Sequence, residues 1–499
     1  MLVMLKWIGG KIAGLFSLVL PMASKAASGA RSPIVFWIAH FVIVVGILVG
    51  LTWLNRYLDL PRYLRAPFRW LAETWLPILF LLLYLNLWLG YWLWVLFRPS
   101  SRSSEHPDLD TAWANILTAL DRAGLDLMRV PLFLVLGRPR NGVEGLFRTA
   151  GFPLNPMGPI DRTPLIAYGG PHGVFIVAVD CCLTSGLATW IARVPTVAAE
   201  DFIGKPTSTI SASAGELLPS LAESPESESE SVSPGPAVTP LTKNLAEMDR
   251  LSARFHHLNG LLIRTRRPYC AINGILALVP EASTRTETVA NAASLLVGRD
   301  LAQIRRELQI HCPVLGIVCD GEQLPGFAEL LNRIPADKRG QRFGRRLPYA
   351  PRLTPRERAT MVETSVRWVC REVVPRLTYR VMAATTNPAT PSEELVQLSE
   401  SLFQRRLHLA RLFADAFGSE DVGTVWAGGC YLAGTGRTTE QQGFLADIFG
   451  QLLDSQSLIA WTDEGRATEA AIRRRTRFGY LGLCLLAALV LGLAFTVFR

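Results

Sequence analysis

Leu132-Phe133-Leu134-Val135-Leu136-Gly137-Arg138-Pro139-Arg140-Asn141-Gly142-Val143-Glu144-Gly145-Leu146-Phe147 joins an apolar run, a glycine-bounded loop and the start of a helix. A short apolar run closed by glycine reads as a buried strand. Gly137 and Gly142 stand at the G-x-x-x-x-G spacing of a phosphate-binding loop, in the strand–loop–helix context that such a loop needs. The next two positions should be Lys and Ser/Thr, but here they are Val143 and Glu144. The Lys would reach the β- and γ-phosphates and the hydroxyl would hold Mg2+, so both functions are missing. A carboxylate about 4 Å from a phosphate charge opposes it by about 4 kcal/mol at an effective dielectric near 20. At the positive end of a helix the same carboxylate gains ~0.3–1 kcal/mol. Two readings stand: a plain strand–turn–helix, and a degenerate loop in which Glu144 takes the electrostatic role of a phosphate. Arg138 and Arg140 remain able to contact a phosphate.

Outward from this loop the rhythm is α/β. Residues 173–179, 272–279 and 312–318 are further strand-like runs, and residues 289–309 carry helical spacing between the last two. Strands alternating with helices predict a mostly parallel sheet. Residues 205–240 are rich in Ser, Pro and Glu and interrupt this domain as a disordered insertion. From Asp337 the chain turns basic, with Lys338, Arg339, Arg342, Arg345, Arg346, Arg352, Arg356 and Arg358 close together. No DNA-binding motif or aromatic interleaving accompanies them, so anionic lipid or an acidic partner is favoured over nucleic acid. Helical stretches follow at 359–377, 393–417 and 441–459, an all-helical extension.

The 499 residues have a mean hydropathy of +0.24 although 19% are charged. Three segments explain that average. Residues 34–54, 75–97 and 478–498 contain no Asp, Glu, Lys or Arg. Each reaches the ~20 residues needed to cross a ~30 Å hydrocarbon core, and lipid then requires a helix. Trp53, Trp70, Trp75 and Trp94 fall near predicted span ends, as an aromatic belt does. Arg473, Arg474, Arg475 and Arg477 precede the third span and only Arg499 follows it, which places the preceding domain on the cytoplasmic side. Arg56, Arg62, Arg65 and Arg69 in the outward hairpin loop run against that rule. The first 33 residues read as a basic, amphipathic interfacial segment. Composition excludes a disordered chain, a collagen-like repeat and a disulfide scaffold; eight cysteines without metal spacing suit a reducing compartment.

Other constellations are weaker. Gly169-Gly170-Pro171-His172-Gly173 reads as a turn rather than a catalytic loop. Cys181 and Cys182 lack an orienting third group and read as core. Asp320 is the best-placed carboxylate at a strand end. His256 and His257 lack the further ligands a metal needs.

Taken in order, these segments resemble the IcmF/TssM family, the large inner-membrane subunit of type VI secretion systems. The similarity rests on the strand and loop at 131–142, on Gly151-Phe152-Pro153-Leu154, and on Arg267-Pro268 followed by Ile272-Asn273-Gly274-Ile275-Leu276. It continues through residues 301–308 into Cys312-Pro313-Val314, then Cys319-Asp320 with Leu324-Pro325-Gly326-Phe327, and Gly429-Cys430-Tyr431-Leu432-Ala433-Gly434-Thr435. Departures accompany it. Besides the loop, the family's Asp-Thr-Ala-Gly-Arg segment has become Asp180-Cys181-Cys182-Leu183-Thr184, and the Thr-Lys of its base motif has become Ile317-Val318.

The resemblance implies a membrane protein with three transmembrane helices, a cytoplasmic P-loop-NTPase-like α/β domain that is degenerate, and an all-helical extension. Its segments are 1–33, the hairpin 34–97, the α/β domain 98–336, the extension 337–477 and the third span 478–499. The implied role is a structural component of the inner-membrane secretion complex, in a short form lacking the family's periplasmic domain. Implied partners are other inner-membrane subunits, cytoplasmic baseplate components and the lipid bilayer, not nucleic acid, within a homo- or hetero-oligomer. No enzyme activity, cofactor or metal is expected. A membrane-anchored NTPase using ATP or GTP is the alternative, with Gly137, Arg138, Arg140, Gly142 and Asp320 as vestigial nucleotide-binding residues.

Overall fold

In the computed structural model, the described residues are 33–58, 69–97, 105–160, 163–193, 241–350, 352–384, 393–423 and 425–498. The expectations for the amphipathic segment 1–33 (all but its last residue) and for the insertion 205–240 fall outside them. Two compact units emerge, residues 1–100 with 468–499, and residues 101–467.

The first unit contains α1 (Pro33–Tyr57) and α2 (Arg69–Phe97), and takes in residues 468–498 of the C-terminal helix Asp463–Phe498. All three helices are long and apolar enough to cross a membrane. Pro77 lies within α2, beyond its first turn, because the helix begins at Arg69 rather than near Trp75. Polar side chains tie α1 to α2 at two levels. Asn55 is fully buried, donates to the carbonyls of Ala72 (3.2 Å) and Glu73 (2.6 Å), and accepts the Trp75 indole N–H at 3.1 Å. Farther along the pair, His40 Nε2 bonds Tyr84 Oη. Small residues bring the C-terminal helix close to α2. A Cβ at Gly479 would lie 2.7 Å from Leu93 Cδ2, and one at Gly482 3.2 Å from Leu89 Cδ2.

The second unit is built on a sheet. Along the chain come α3 (Pro107–Arg122), β1 (Leu132–Leu136), α4 (Glu144–Arg148), β2 (Asn155–Pro156), β3 (Leu165–Gly170), β4 (Gly173–Ala178) and α5 (Leu183–Arg193). There follow α6 (Leu245–Arg266), β5 (Gly274–Pro280), α7 (Glu287–Leu308), β6 (Ile310–His311), β7 (Pro313–Cys319), α8 (Phe327–Arg333) and β8 (Phe343–Arg346). The remainder is α9 (Pro355–Trp368), a π-helical turn (Val369–Val373), α10 (Val374–Ala384), α11 (Glu393–Gln404), α12 (Arg406–Gly418), β9 (Trp426–Leu432), β10 (Gly434–Thr435), β11 (Gln442–Gly443), α13 (Ala446–Asp454) and β12 (Ala460–Trp461).

Among the described residues eight strands form one sheet, ordered β2-β3-β4-β1-β5-β7-β9-β8. The five strands β4, β1, β5, β7 and β9 run parallel, and β2, β3 and β8 join antiparallel at the two edges. Every residue of β1 is buried, because both faces are covered. Leu132, Leu134 and Leu136 point into one core with the helices α3, α5, α6, α7 and α12. Phe133 and Val135 point into the other with α4 and α13. Phe133, Phe175 and Phe449 fill that second core, with ring centroids 4.9 Å and 5.2 Å apart along the chain of contacts.

The parallel sheet and the helix at 289–309 agree with the sequence reading. The expectation of an all-helical extension from 337 to 477 is corrected: β8 and β9 both belong to the main sheet. Trp426–Leu432 holds two adjacent glycines and no β-branched residue, so its strand pattern is faint in sequence; pairing with β7 over Pro313–Val318 supplies the stability instead. The helical part is real, but it is an excursion between β7 and β9, not a separate extension. A complete capping box at Thr354 and Glu357 starts it. Its buried positions Val362, Ser365, Cys370, Val374 and Thr378 step by five residues once, between Ser365 and Cys370, where the π-turn re-phases the helix.

Candidate functional site

The loop 137–143 leaves β1 where the parallel order reverses, with β4 on one side and β5 on the other. Counting only parallel strands, the order is 2-1-3-4-5, and ligands of such sheets collect at this switch point. Gly137 has φ +83°, and a Cβ there would lie 2.2 Å from the Leu278 carbonyl oxygen, so both conformation and space demand glycine. Gly142 has φ +91° in open space, so only its conformation demands it.

Three strand ends meet at this loop. Asp320 follows β7 in a left-handed conformation (φ 61°) and is 3% exposed. Its Oδ1 accepts the Arg140 backbone N–H at 2.9 Å and the Thr435 hydroxyl at 3.3 Å. Its own N–H donates to Thr435 Oγ1 at 3.0 Å. Glu322 completes the clasp, accepting the Thr435 N–H at 2.9 Å and the Asn141 amide at 3.4 Å. Carboxylates from the β7 end thus hold the β1 loop against β10, which follows directly on β9. Burial pushes the Asp320 carboxyl up to about 6, against the pull of the Arg140 N–H, while the Glu322 charge raises it further.

Beside the clasp lies a cleft of about 150 Å³, lined among others by Arg138, Arg140, Glu281, Arg285 and Asp320. Drug-sized ligands occupy pockets of about 300–1,000 Å³, so this cleft holds about half the smallest of them. Its charge is balanced from within. Glu281, at the end of β5, is 1% exposed and accepts from Arg285 at 3.1 Å and from Arg405. Arg138 donates to Thr189 Oγ1 at 3.1 Å on α5. The arrangement orders three loops and leaves cationic groups near a small recess.

The structure places Arg138, Arg140, Gly142 and Asp320 in the lining of this cleft, with Gly137 directly after β1 at the start of the loop. It corrects the role given to Glu144. That residue opens α4, which has only five residues, and its exposed carboxylate pairs with Arg148 at 4.0 Å. The carboxylate that takes a loop N–H is Asp320, 180 positions away. Asp180 points elsewhere too, toward Arg250 at 3.3 Å and Arg254 at 3.8 Å on α6. Glu281, Arg285, Glu322 and Thr435 were missed. Glu322 lies two residues beyond Asp320, but nothing local marks Glu281 or Thr435 as its neighbours.

The remaining candidates have structural settings. His172 sits in the β3–β4 hairpin turn, edge-on to Phe152 at 5.5 Å. Cys181 and Cys182 are fully buried, and burial pushes the Cys182 thiol up to about 12, which keeps it an unreactive thiol at neutral pH. His256 pairs with Glu307 at 3.0 Å and His257 with Asp110 at 2.7 Å. Asp300 of α7 caps α5 from outside, accepting the N–H groups of Leu183 (3.1 Å) and Thr184 (2.8 Å) and the Thr184 hydroxyl (2.6 Å). Burial pushes its carboxyl up to about 6.

Residues 249–478 match the family model of the IcmF-related N-terminal domain. Searches of curated proteins and of solved structures returned no match.

Proposed function

Since the chain belongs to the IcmF family, whose members work within a multi-subunit secretion complex, we propose that it is a structural component of a type VI secretion-like membrane complex. In this reading three helices hold the α/β unit at the inner membrane, and that unit docks membrane or baseplate subunits through packed surfaces. The observation that carries the non-catalytic part is the Asp320–Arg140 bond. A phosphate-binding loop offers its backbone N–H groups to the ligand; here one of them is taken by the chain's own carboxylate. The Walker Lys and hydroxyl are replaced by Val143 and Glu144. Arg473, Arg474, Arg475 and Arg477 before the last span support a cytoplasmic position for the α/β unit.

A second reading, a membrane-anchored NTPase with an atypical loop, is favoured by the switch-point position and by Arg138 and Arg140 at the cleft. Equilibrium binding of ATP and GTP to the purified full chain separates the two. The structural reading expects no saturable binding at micromolar nucleotide. Binding that disappears on Arg138→Ala and Arg140→Ala substitution establishes the NTPase reading instead. Co-purification from solubilised membranes identifies the subunits that the α/β unit docks.

A further inference from the structure

The charge of this chain is concentrated on one excursion of the fold. Residues 337–384 carry twelve Lys and Arg, eleven of them Arg, against four Asp and Glu; all other residues carry thirty-nine against thirty-eight. That stretch therefore accounts for +8 of the formal +9. Two of its arginines serve the fold: Arg358 is buried on the carbonyls of Phe417, Gly423 and Leu353, and Arg339 bonds the Ile334 carbonyl. Three of the four acids are engaged locally, Glu357 in the capping box, Glu363 with Arg367 and Glu372 with Arg376. Among the described residues Arg371 and Arg380 have no carboxylate within ion-pair distance.

Aromatic side chains share this surface. Arg345 of β8 lies over the Trp368 ring at 4.8 Å, and Trp368 is 42% exposed. Tyr379 is 72% exposed. The rod α9–π–α10 buries Val362, Ser365, Cys370, Val374 and Thr378, so its other side presents Trp368, Arg371, Arg376, Tyr379 and Arg380 outward. Phe343, within the arginine run, is buried; the fold supplies an exposed ring by bringing Trp368 to Arg345.

We propose that this Arg-, Trp- and Tyr-bearing face binds the headgroups of an anionic phospholipid surface. Guanidinium forks match phosphate oxygens and are weakly hydrated. Trp and Tyr rings suit the headgroup level, with one end apolar and the other wet. A basic amphipathic helix with exposed aromatics is the pattern of a membrane-surface segment. The same chain carries three helices of membrane-crossing length, which keeps bilayer headgroups at high effective concentration.

The test uses the full chain in nanodiscs of phosphatidylcholine alone and in nanodiscs that also contain phosphatidylglycerol. Arginine labelling by a dicarbonyl reagent is read by mass spectrometry. Arg371, Arg376 and Arg380 are expected to label about fivefold more slowly in the anionic discs, given the strength of single basic contacts with such surfaces. High salt should restore the rate, and the exposed Arg264 and Arg299 should label equally in both discs. Equal labelling of the rod arginines in both discs overturns the proposal. Protection that arises only when an acidic protein or a nucleic acid is added also overturns it, and assigns the face to that partner.

Discussion

The backbone N–H of Arg140 donates to Oδ1 of Asp320 at 2.9 Å, across 180 positions of sequence. The bond makes the loop after β1 a fixed joint, because Asp320 also takes the Thr435 hydroxyl. Asp320→Ala leaves these donors unpaired at a buried position. It should lower stability by about 1–3 kcal/mol. Asp320→Asn keeps one acceptor oxygen and should cost less. Denaturant unfolding of both variants checks this; an alanine variant as stable as the parent removes the clasp from the account of the fold.

Asp300 and Asp320 together give stability a pH dependence. Each has an ordinary value of 3.8 and is pushed up to about 6 in the fold. Between these values the folded chain binds more protons than the unfolded one. Their contribution is therefore complete below about pH 4 and is lost as pH rises through about 6, on the order of 3 kcal/mol for each group. Asp300→Asn and Asp320→Asn should each flatten the fall in unfolding free energy across this window. An unchanged slope in both variants contradicts the raised values.

Glu281 and Arg405 form a buried link between the end of β5 and the junction of α11 and α12. Removing Glu281 leaves Arg405 and Arg285 without their shared carboxylate, and loss of a buried charge's partner typically costs about 3–5 kcal/mol. Glu281→Gln should be severe on its own, and a double-mutant cycle with Arg405→Met should show that the two losses do not add. Additive losses would mean that the two side chains act independently.

Gly137→Ala should be more damaging than Gly142→Ala. Both have positive φ, but only at Gly137 does a Cβ meet backbone, at 2.2 Å from the Leu278 oxygen. Relative thermal stabilities of the two variants give the order directly, and a reversed order refutes the steric argument.

The topology proposal has its own measurement. Single cysteines introduced at exposed positions of the α/β unit, on a background with Cys484 and the other cysteines removed, should resist a membrane-impermeant thiol reagent in intact cells and react after lysis. Labelling in intact cells would place that unit outside.

Residue patterns alone determined the three membrane-length helices, the parallel strands and the strand–loop–helix at Gly137, because hydrophobic length and local periodicity are properties of contiguous sequence. Loops at the ends of parallel strands converge, and so Arg138, Arg140 and Asp320 come to line one cleft. Tertiary structure alone decided that Asp320, not Glu144, takes the loop N–H, and that Glu281 meets Arg405. It also decided that β8 and β9 belong to the sheet and that Trp368 lies under Arg345. Each of these depends on partners far apart in the chain. The charge and size that make a carboxylate a capping group are written locally, but which amide it caps is fixed only when the strands have been brought side by side.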